Sequence, residues 1–155
     1  MAVTVKLDGL KDLEAELAKL SKAAGKAALR RAGIKAMQPM AELARSLAPD
    51  DPSTPPIDLK TSIAVSSRVK VGRSRSLLRE VREGKASVNV YMGPTKEGYP
   101  QAIMQEFGTI HHGPQSYMRP AWDAEKRGVL SRLKALLWDE VGKSVARAER
   151  RRAND

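Results

Sequence analysis

The sequence predicts an α+β fold in which a small antiparallel sheet packs against long N-terminal and C-terminal helices. Leucines recur at spacings of three and four near the N-terminus, and apolar residues recur in the same way between 121 and 145. Apolar and polar residues alternate around 63–71 and 87–92, which indicates two strands. The length of 155 residues fits one domain over 1–149 with a basic tail at 150–155.

Composition restricts the class of protein. Hydrophobic residues make up 41% of the chain but aromatic residues only 4%, so we expect a core of Ala, Leu, Val and Met. Cysteine is absent, which excludes disulfides and thiolate metal sites and agrees with an intracellular product. We expect no signal peptide, because Val3, Val5 and Leu7 alternate with polar residues. We expect no membrane partner, because no apolar run approaches the roughly 20 residues that cross a bilayer.

The net charge of +10 suggests contact with nucleic acid without establishing it. Basic residues also serve as solvated faces, or they pair with an acidic partner protein. Proximity to nucleic acid inside an assembly is a third interpretation.

The N-terminal region is predicted to be a short strand followed by a helix. Val3–Leu7 alternates apolar and polar residues, and Asp8 is a candidate helix cap. The helix that follows carries one apolar stripe, formed by Leu10, Leu13, Leu17 and Leu20.

A second helical pattern spans Ser21–Leu47 and is rich in alanine, which permits close helix packing. Pro39 lacks an amide donor and predicts a kink or a join between two helices. Three cations lie off the apolar stripe and are expected to face solvent: Arg30, Arg31 and Lys35. The helix should stop near Ala48–Pro49, because a residue before proline disfavours helical geometry.

Two loops flank the predicted sheet. Residues 50–58 are proline-rich and should form an extended surface loop, either a connector or a docking arm for a neighbouring subunit. Leu59–Val71 and Ser87–Met92 should pair as an antiparallel hairpin. The loop between them, 72–86, carries five cations without interleaved aromatic residues, which suits contact with DNA phosphates or an acidic subunit: Arg73, Arg75, Arg79, Arg82 and Lys85.

The C-terminal region is predicted to be one long helix. Pro120 suits the first helical position, and the apolar pattern extends to about Ala148. The tail carries Arg150, Arg151 and Arg152, which a helix dipole favours and which are also candidates for contact with DNA or a partner.

The stretch Tyr99–Asp123 is the most irregular in the chain, and we predict that it joins the sheet to the terminal helix. Phe107 should anchor the end of a short helix in the core, and Gly108 should adopt a positive φ. Thr109–Gln115 should form an exposed loop.

We also predict the environment of residues on either side of that loop. Tyr117 and Met118 should return to the core or to an interface. Glu106 is a candidate for a buried, paired carboxylate.

No catalytic constellation is evident. The chain has no Cys nucleophile, no Gly-rich phosphate loop before a helix and no nucleophile elbow. His111 and His112 are adjacent, and only Glu106 lies near them, so we expect no metal site. We expect neither enzymatic activity nor a cofactor.

Two short motifs carry a resemblance to a known family. They are EFGT and RPA, formed by Glu106, Phe107, Gly108 and Thr109, and by Arg119, Pro120 and Ala121. Further matches occur in the same order along the chain: Gly9, Leu10, Leu13 and Leu17; Ala48 and Pro49; Leu59, Ser62 and Ile63; Gly93 and Pro94. Across nearly its whole length the chain resembles the neck or tail-completion family of long-tailed bacteriophages, named for gene product ten of a lambdoid phage.

The resemblance implies a structural virion subunit. Such a subunit would form a homo-oligomeric ring of sixfold or related symmetry at the head–tail junction, where it completes the tail and joins it to the head. The implied partners are further copies of the chain, head-closure and connector proteins, and the tail terminator and tail-tube proteins. Genomic DNA would pass through the lumen without sequence recognition. The subunit would reside in the virion after assembly in the host cytoplasm.

The chain departs from the family pattern at the link APDDPSTPPIDL, which is longer and lacks the family's glycine. The loop at 50–58 is therefore a candidate for a contact particular to this virus. Alternative interpretations are a tail terminator or head-closure protein at the same junction, or a basic nucleic-acid-binding module.

Overall fold

The structure of the chain is a computed structural model, which describes residues 10–18, 20–49, 59–68 and 87–154. The predicted strand at 3–7, the cap Asp8, and the loops at 50–58 and 72–86 lie outside the described residues.

The described chain is mainly helical, with a small antiparallel sheet, and the predicted α+β class is confirmed. Its elements in order are α1 (Leu10–Ala18), α2 (Lys22–Leu47), α3 (Leu59–Ser62), β1 (Ile63–Ser66), β2 (Tyr91–Pro94), a 3-10 turn (Lys96–Gly98), α4 (Tyr99–Phe107) and α5 (Met118–Asn154).

Helix α2 begins with a side-chain cap and continues through its proline. The Ser21 hydroxyl accepts a hydrogen bond from the Ala24 amide at 3.3 Å, which satisfies one of the free amides of the first turn. Pro39 lies inside one continuous helix, so the alternative of a join between two helices is wrong. Small residues recur along the buried face at every fourth position, with one methionine among them: Ala28, Ala32, Ala36, Met40 and Ala44.

Helices α2 and α5 pack antiparallel along their lengths. The side chain of Arg31 contacts that of Ser144, the Arg132 Nε donates to the Ala36 carbonyl at 3.3 Å, and Ala41 shares a core with Ala121. One core joins α2 to the sheet, α4 and the start of α5, while a second joins α1 and α2 to the later part of α5. The alanines of α2 allow this close approach, because a small side chain leaves little between two helix backbones.

The two strands pair antiparallel as predicted, but their bounds differ from the prediction. Ile63 pairs with Pro94, and Ser66 pairs with Tyr91. The expected strand start at 59–62 is helix α3, where the Ser62 hydroxyl donates to the Leu59 carbonyl at 2.7 Å and closes the turn. Residues 87–90 are not strand, and Gly93–Pro94 is the end of β2 instead of a turn. A proline is tolerated there, because a strand of a two-stranded sheet has an edge without ladder bonds.

Helix α5 is longer than predicted at both ends. It starts at Met118, two residues before Pro120, and it continues through the arginine-rich stretch to Asn154. The early start has a tertiary cause, which is the capping of its first amides by another helix. The basic residues of the last turn favour the extension, because cations are stabilising near the negative end of a helix dipole.

Candidate functional site

The exit from α4 depends on the backbone of Gly108. Its φ is +80° and its ψ is 177°, a conformation that is essentially restricted to glycine. Its amide donates to the Met104 carbonyl at 2.8 Å, so the last turn of α4 is closed before the chain reverses. The predicted positive φ at Gly108 is confirmed.

The loop after Gly108 is held by hydrogen bonds from Thr109. Its hydroxyl accepts from the amides of His111 and His112 at 3.1 and 3.3 Å, and its amide donates to the His112 carbonyl at 2.9 Å. The Gln115 amide then donates to the Gln105 carbonyl at 2.7 Å. The loop is exposed, as predicted, and it is folded back onto the end of α4.

Glu106 caps the start of α5. One carboxylate oxygen accepts from the amides of Tyr117 and Met118 at 2.9 and 3.0 Å, and the other accepts from the Arg119 amide at 3.2 Å. These amides belong to the first turn of a helix, which has no intrahelical partners for them and carries a partial positive charge. Glu106 is 7% exposed, so the expectation of a buried carboxylate is confirmed, and its partners are backbone amides.

Tyr117 fixes the same junction from the core side. It is almost fully buried in the core formed by α2, the sheet and α4. Burial, and secondarily the negative charge of Glu106, raises the pKa of Tyr117 to about 12. The phenol is therefore neutral at physiological pH, and the prediction that Tyr117 returns to the core is confirmed.

Phe107 does not lie in the core, so its predicted role as a core anchor is wrong. Its side chain is 63% exposed, and the guanidinium carbon of Arg119 lies 5.5 Å from the centre of its ring. A cation over an aromatic face at this distance is an attractive contact. The buried face of α4 instead presents Ala102 and Glu106, which are four residues apart.

The two motifs EFGT and RPA therefore contact each other in space. Glu106 binds the backbone at Arg119, and Phe107 lies beneath the Arg119 side chain. Ala121 is fully buried, and Pro120 is exposed in the first turn of α5. We refer to this arrangement as the Glu106 joint. It positions helices and contains no nucleophile or proton-transfer pair.

Large apolar side chains surround the Glu106 joint on its outer side. Ile110 is 95% exposed at the tip of the loop, and Trp122 is 54% exposed one turn into α5. Tyr99, Ile103 and Phe107 recur every four residues on the outer face of α4. A neighbouring cavity of about 470 Å³ is lined by Met37, Val90, Tyr91, Met92, Met118, Arg119, Trp122 and Asp123. Exposed apolar surface of this kind marks contact sites for other proteins.

The structure describes one of the two predicted sets of basic residues. Arg150, Arg151 and Arg152 lie in the last turns of α5. The other predicted set (Arg73, Arg75, Arg79, Arg82 and Lys85) lies outside the described residues.

A buried ion cluster between α2 and α5 was not predicted. Glu140 is 4% exposed, and its carboxylate lies 2.6 Å from the Arg31 Nε and 2.9 Å from the Lys35 Nζ. Lys35 is exposed, as expected, and Arg31 is half-buried, and both also contact the buried carboxylate of Glu140. A signal was present in the sequence, because Glu140 interrupts the apolar stripe of α5 and the two cations are spaced for one helix face.

From the contacts of Glu140 we predict how the free energy of unfolding depends on pH. Hydrogen bonds from Arg31, and then from Lys35, lower the pKa of Glu140 from 4.5 to about 2. The folded-state pKa is depressed, so the stabilisation is complete above the unfolded-state pKa of 4.5 and is lost as the pH falls towards 2.

Glu140→Gln should lower the free energy of unfolding by about 2 kcal/mol at neutral pH, because it removes the negative charge that Arg31 and Lys35 share and leaves one carbonyl acceptor for their two hydrogen bonds. Urea titrations of the wild type and the variant should converge as the pH falls from 4.5 towards 2. A constant difference down to the lowest pH would show that the Glu140 charge does not contribute.

In the described ranges, no three His, Asp or Glu residues are grouped so that they could hold a metal ion. Within the same part of the chain, every helix is too short or too polar to cross a membrane.

No family model matches this chain, and no curated protein or solved structure gives a significant match.

Proposed function

We propose that the chain is a structural protein of a tailed bacteriophage virion, a neck or tail-completion subunit that forms a ring at the head–tail junction. The observation that carries the proposal is the Glu106 joint. Nine residues separate the two motifs that resemble the family, and Glu106 joins them by binding the amides from Tyr117 to Arg119. Their shared task is structural, which agrees with a subunit and gives an enzyme no reacting group.

The exposed apolar residues around the joint support assembly with other proteins. Ile110 and Phe107 lie on the outer side of a loop and a helix that hydrogen bonds hold in place. Ordering such a surface in advance lowers the entropy cost of binding. We therefore place a contact with a neighbouring subunit on this side, and a ring of sixfold or related symmetry would repeat that contact.

The proposed partners are those of a neck subunit. They are further copies of the chain, head-closure and connector proteins on one side, and the tail terminator and tail-tube proteins on the other. Genomic DNA passes through the lumen, and the net charge of +10 suits proximity to its phosphates without base recognition. The proposed location is the virion, after assembly in the host cytoplasm.

Imaging of virus particles made without this chain tests the proposal. We expect DNA-filled heads and unattached tails, and particles with joined tails when the wild-type chain is supplied in trans. Normal tails that join heads at wild-type frequency would overturn it. Density for the chain at the first tail-tube ring or beside the portal would instead favour the tail-terminator or head-closure alternative.

The variant Ile110→Ser tests the role of this surface in assembly without changing how the chain folds. Because Ile110 is 95% exposed, the substitution should change the free energy of unfolding by less than about 0.5 kcal/mol. We expect it to reduce the yield of joined particles in the same complementation assay, whereas Gln101→Ala, an exposed polar site on α4, should not. Equal yields from the two variants would remove Ile110 from the proposed contact.

A further inference from the structure

A cleft of about 350 Å³ lies between the turn that precedes α2 and the end of α5. Small or apolar side chains line part of it, among them Leu20 from the turn, Ala24 from α2 and Ala148 from α5. Its walls carry four arginines, which are Arg31, Arg147, Arg151 and Arg152. We call this feature the arginine cleft.

Helix geometry explains which arginines of α5 reach the cleft. Each residue turns an α-helix by about 100°, so positions 147 and 151 lie on one face, about 6 Å apart. Arg152 is next to Arg151 on the cleft side, whereas Arg150 and Glu149 point to other sides of the helix and do not line the cleft. The predicted set of three arginines is therefore divided, with two in the cleft.

Within the described ranges, the carboxylate of Glu140 is the one ion-pair partner of the arginines in the cleft, and it contacts Arg31. Arg31 shares one carboxylate, Glu140, with Lys35, so two cations oppose a single anion. The Arg147 Nε donates to the Lys143 carbonyl at 3.1 Å, which fixes the side chain without neutralising it. Arg151 and Arg152 form no ion pair with any residue in the described ranges.

The dipoles of α2 and α5 do not explain the positive field in the arginine cleft. The positive end of α2 and the negative end of α5 meet at the cleft, because the two helices are antiparallel. Their partial charges oppose each other, so the arginine side chains supply the field.

We propose that the arginine cleft binds phosphate groups of a nucleic-acid backbone and does not read bases. Guanidinium groups bind phosphate oxygens in a bidentate manner, and no aromatic residue lines the cleft for base stacking. The choice of duplex DNA as the ligand rests on the proposed function, whereas the site itself rests on the arginines.

Fluorescence anisotropy with labelled duplexes of two unrelated sequences tests this proposal on the purified chain. We expect equal affinity for both sequences and a steep loss of affinity between about 50 and 200 mM salt. The double variant Arg151→Gln/Arg152→Gln should bind about tenfold more weakly and reduce the salt slope by about 2. Both residues are exposed at the end of α5, so thermal unfolding followed by circular dichroism should be unchanged.

The matched control removes two charges elsewhere on the same helix. Arg127 and Lys134 lie about 30 and 20 Å along α5 from Arg147, so Arg127→Gln/Lys134→Gln should reduce affinity less than about twofold. Equal losses from the two double variants would overturn the proposal, because net charge alone would then explain binding.

Two other outcomes would also overturn the proposal. One is discrimination between the two duplexes, and the other is binding to polyglutamate but not to DNA, which would identify an acidic protein as the partner. Failure in this assay leaves the head–tail joining assay unaffected, so the two proposals fail separately.

Discussion

Glu106→Ala should lower the free energy of unfolding by about 3 kcal/mol. The substitution removes the acceptor of three amides at the start of α5, those of Tyr117, Met118 and Arg119. The Tyr117 amide is buried and would be left without a partner. Arg119 would also lose its carboxylate neighbour, whose nearest oxygen is 3.9 Å from its Nε. Urea unfolding should show a lower midpoint with an unchanged slope.

Two further variants distinguish capping from a general loss of charge. Glu106→Gln retains one carbonyl acceptor, so it should cost about half as much as Glu106→Ala. Glu149→Ala removes an exposed carboxylate from α5, the helix that Glu106 caps, and should change the free energy of unfolding by less than about 0.5 kcal/mol. A Glu106→Ala loss as small as that of Glu149→Ala would show that α5 does not depend on this cap.

Gly108→Val should be at least as damaging, with an expected loss of about 4 kcal/mol in the free energy of unfolding. The first cause is the backbone, because a β-branched residue resists a φ of +80°. The second is space, because a Cβ at this position would lie 2.9 Å from the Pro114 nitrogen and 3.0 Å from the His112 carbonyl oxygen. Those atoms belong to the backbone of the loop and cannot rotate away.

Gly113→Ala is the matched control for Gly108, because it lies in the same loop. A Cβ there would meet no atom within 4 Å, and its φ is not positive, so the expected change is below about 0.5 kcal/mol. Thermal unfolding of both variants, together with the yield of joined particles, measures the effect. A Gly108→Val chain that is as stable and as active in assembly as the Gly113→Ala chain would contradict the account of this turn.

The EFGT and RPA motifs show which features the sequence predicts and which only the structure reveals. The sequence predicted a joint at Tyr99–Asp123, a positive φ at Gly108 and a buried carboxylate at Glu106, because each follows from local sterics or local polarity. The sequence also predicted that Phe107 lies in the core, on the basis of its hydrophobicity alone. Helix geometry places Ala102 and Glu106 on the buried side of α4, and this turns Phe107 outward to the Arg119 guanidinium.

The predicted bounds of a helix or strand are wrong where side chains from other elements determine where it begins. No pattern in the sequence indicates that α3 replaces the start of the first strand, or that α5 begins before Pro120. In the second case the cap comes from another helix, which no pattern within α5 can reveal. The arginine cleft is a similar case, since Arg31 and Arg151 belong to different helices and meet only through the packing of α2 on α5.

The sequence by itself determined the helical periodicity, the presence of two strands and the glycine turn, because these depend on interactions within a few residues. Only the tertiary structure decided the partners of the buried charges. Glu106 binds amides 11 to 13 residues away, and Glu140 binds Arg31 at a separation of 109 residues. A carboxylate in a sequence has many possible partners, and the packing of α2, α4 and α5 selects which of them come within hydrogen-bond distance.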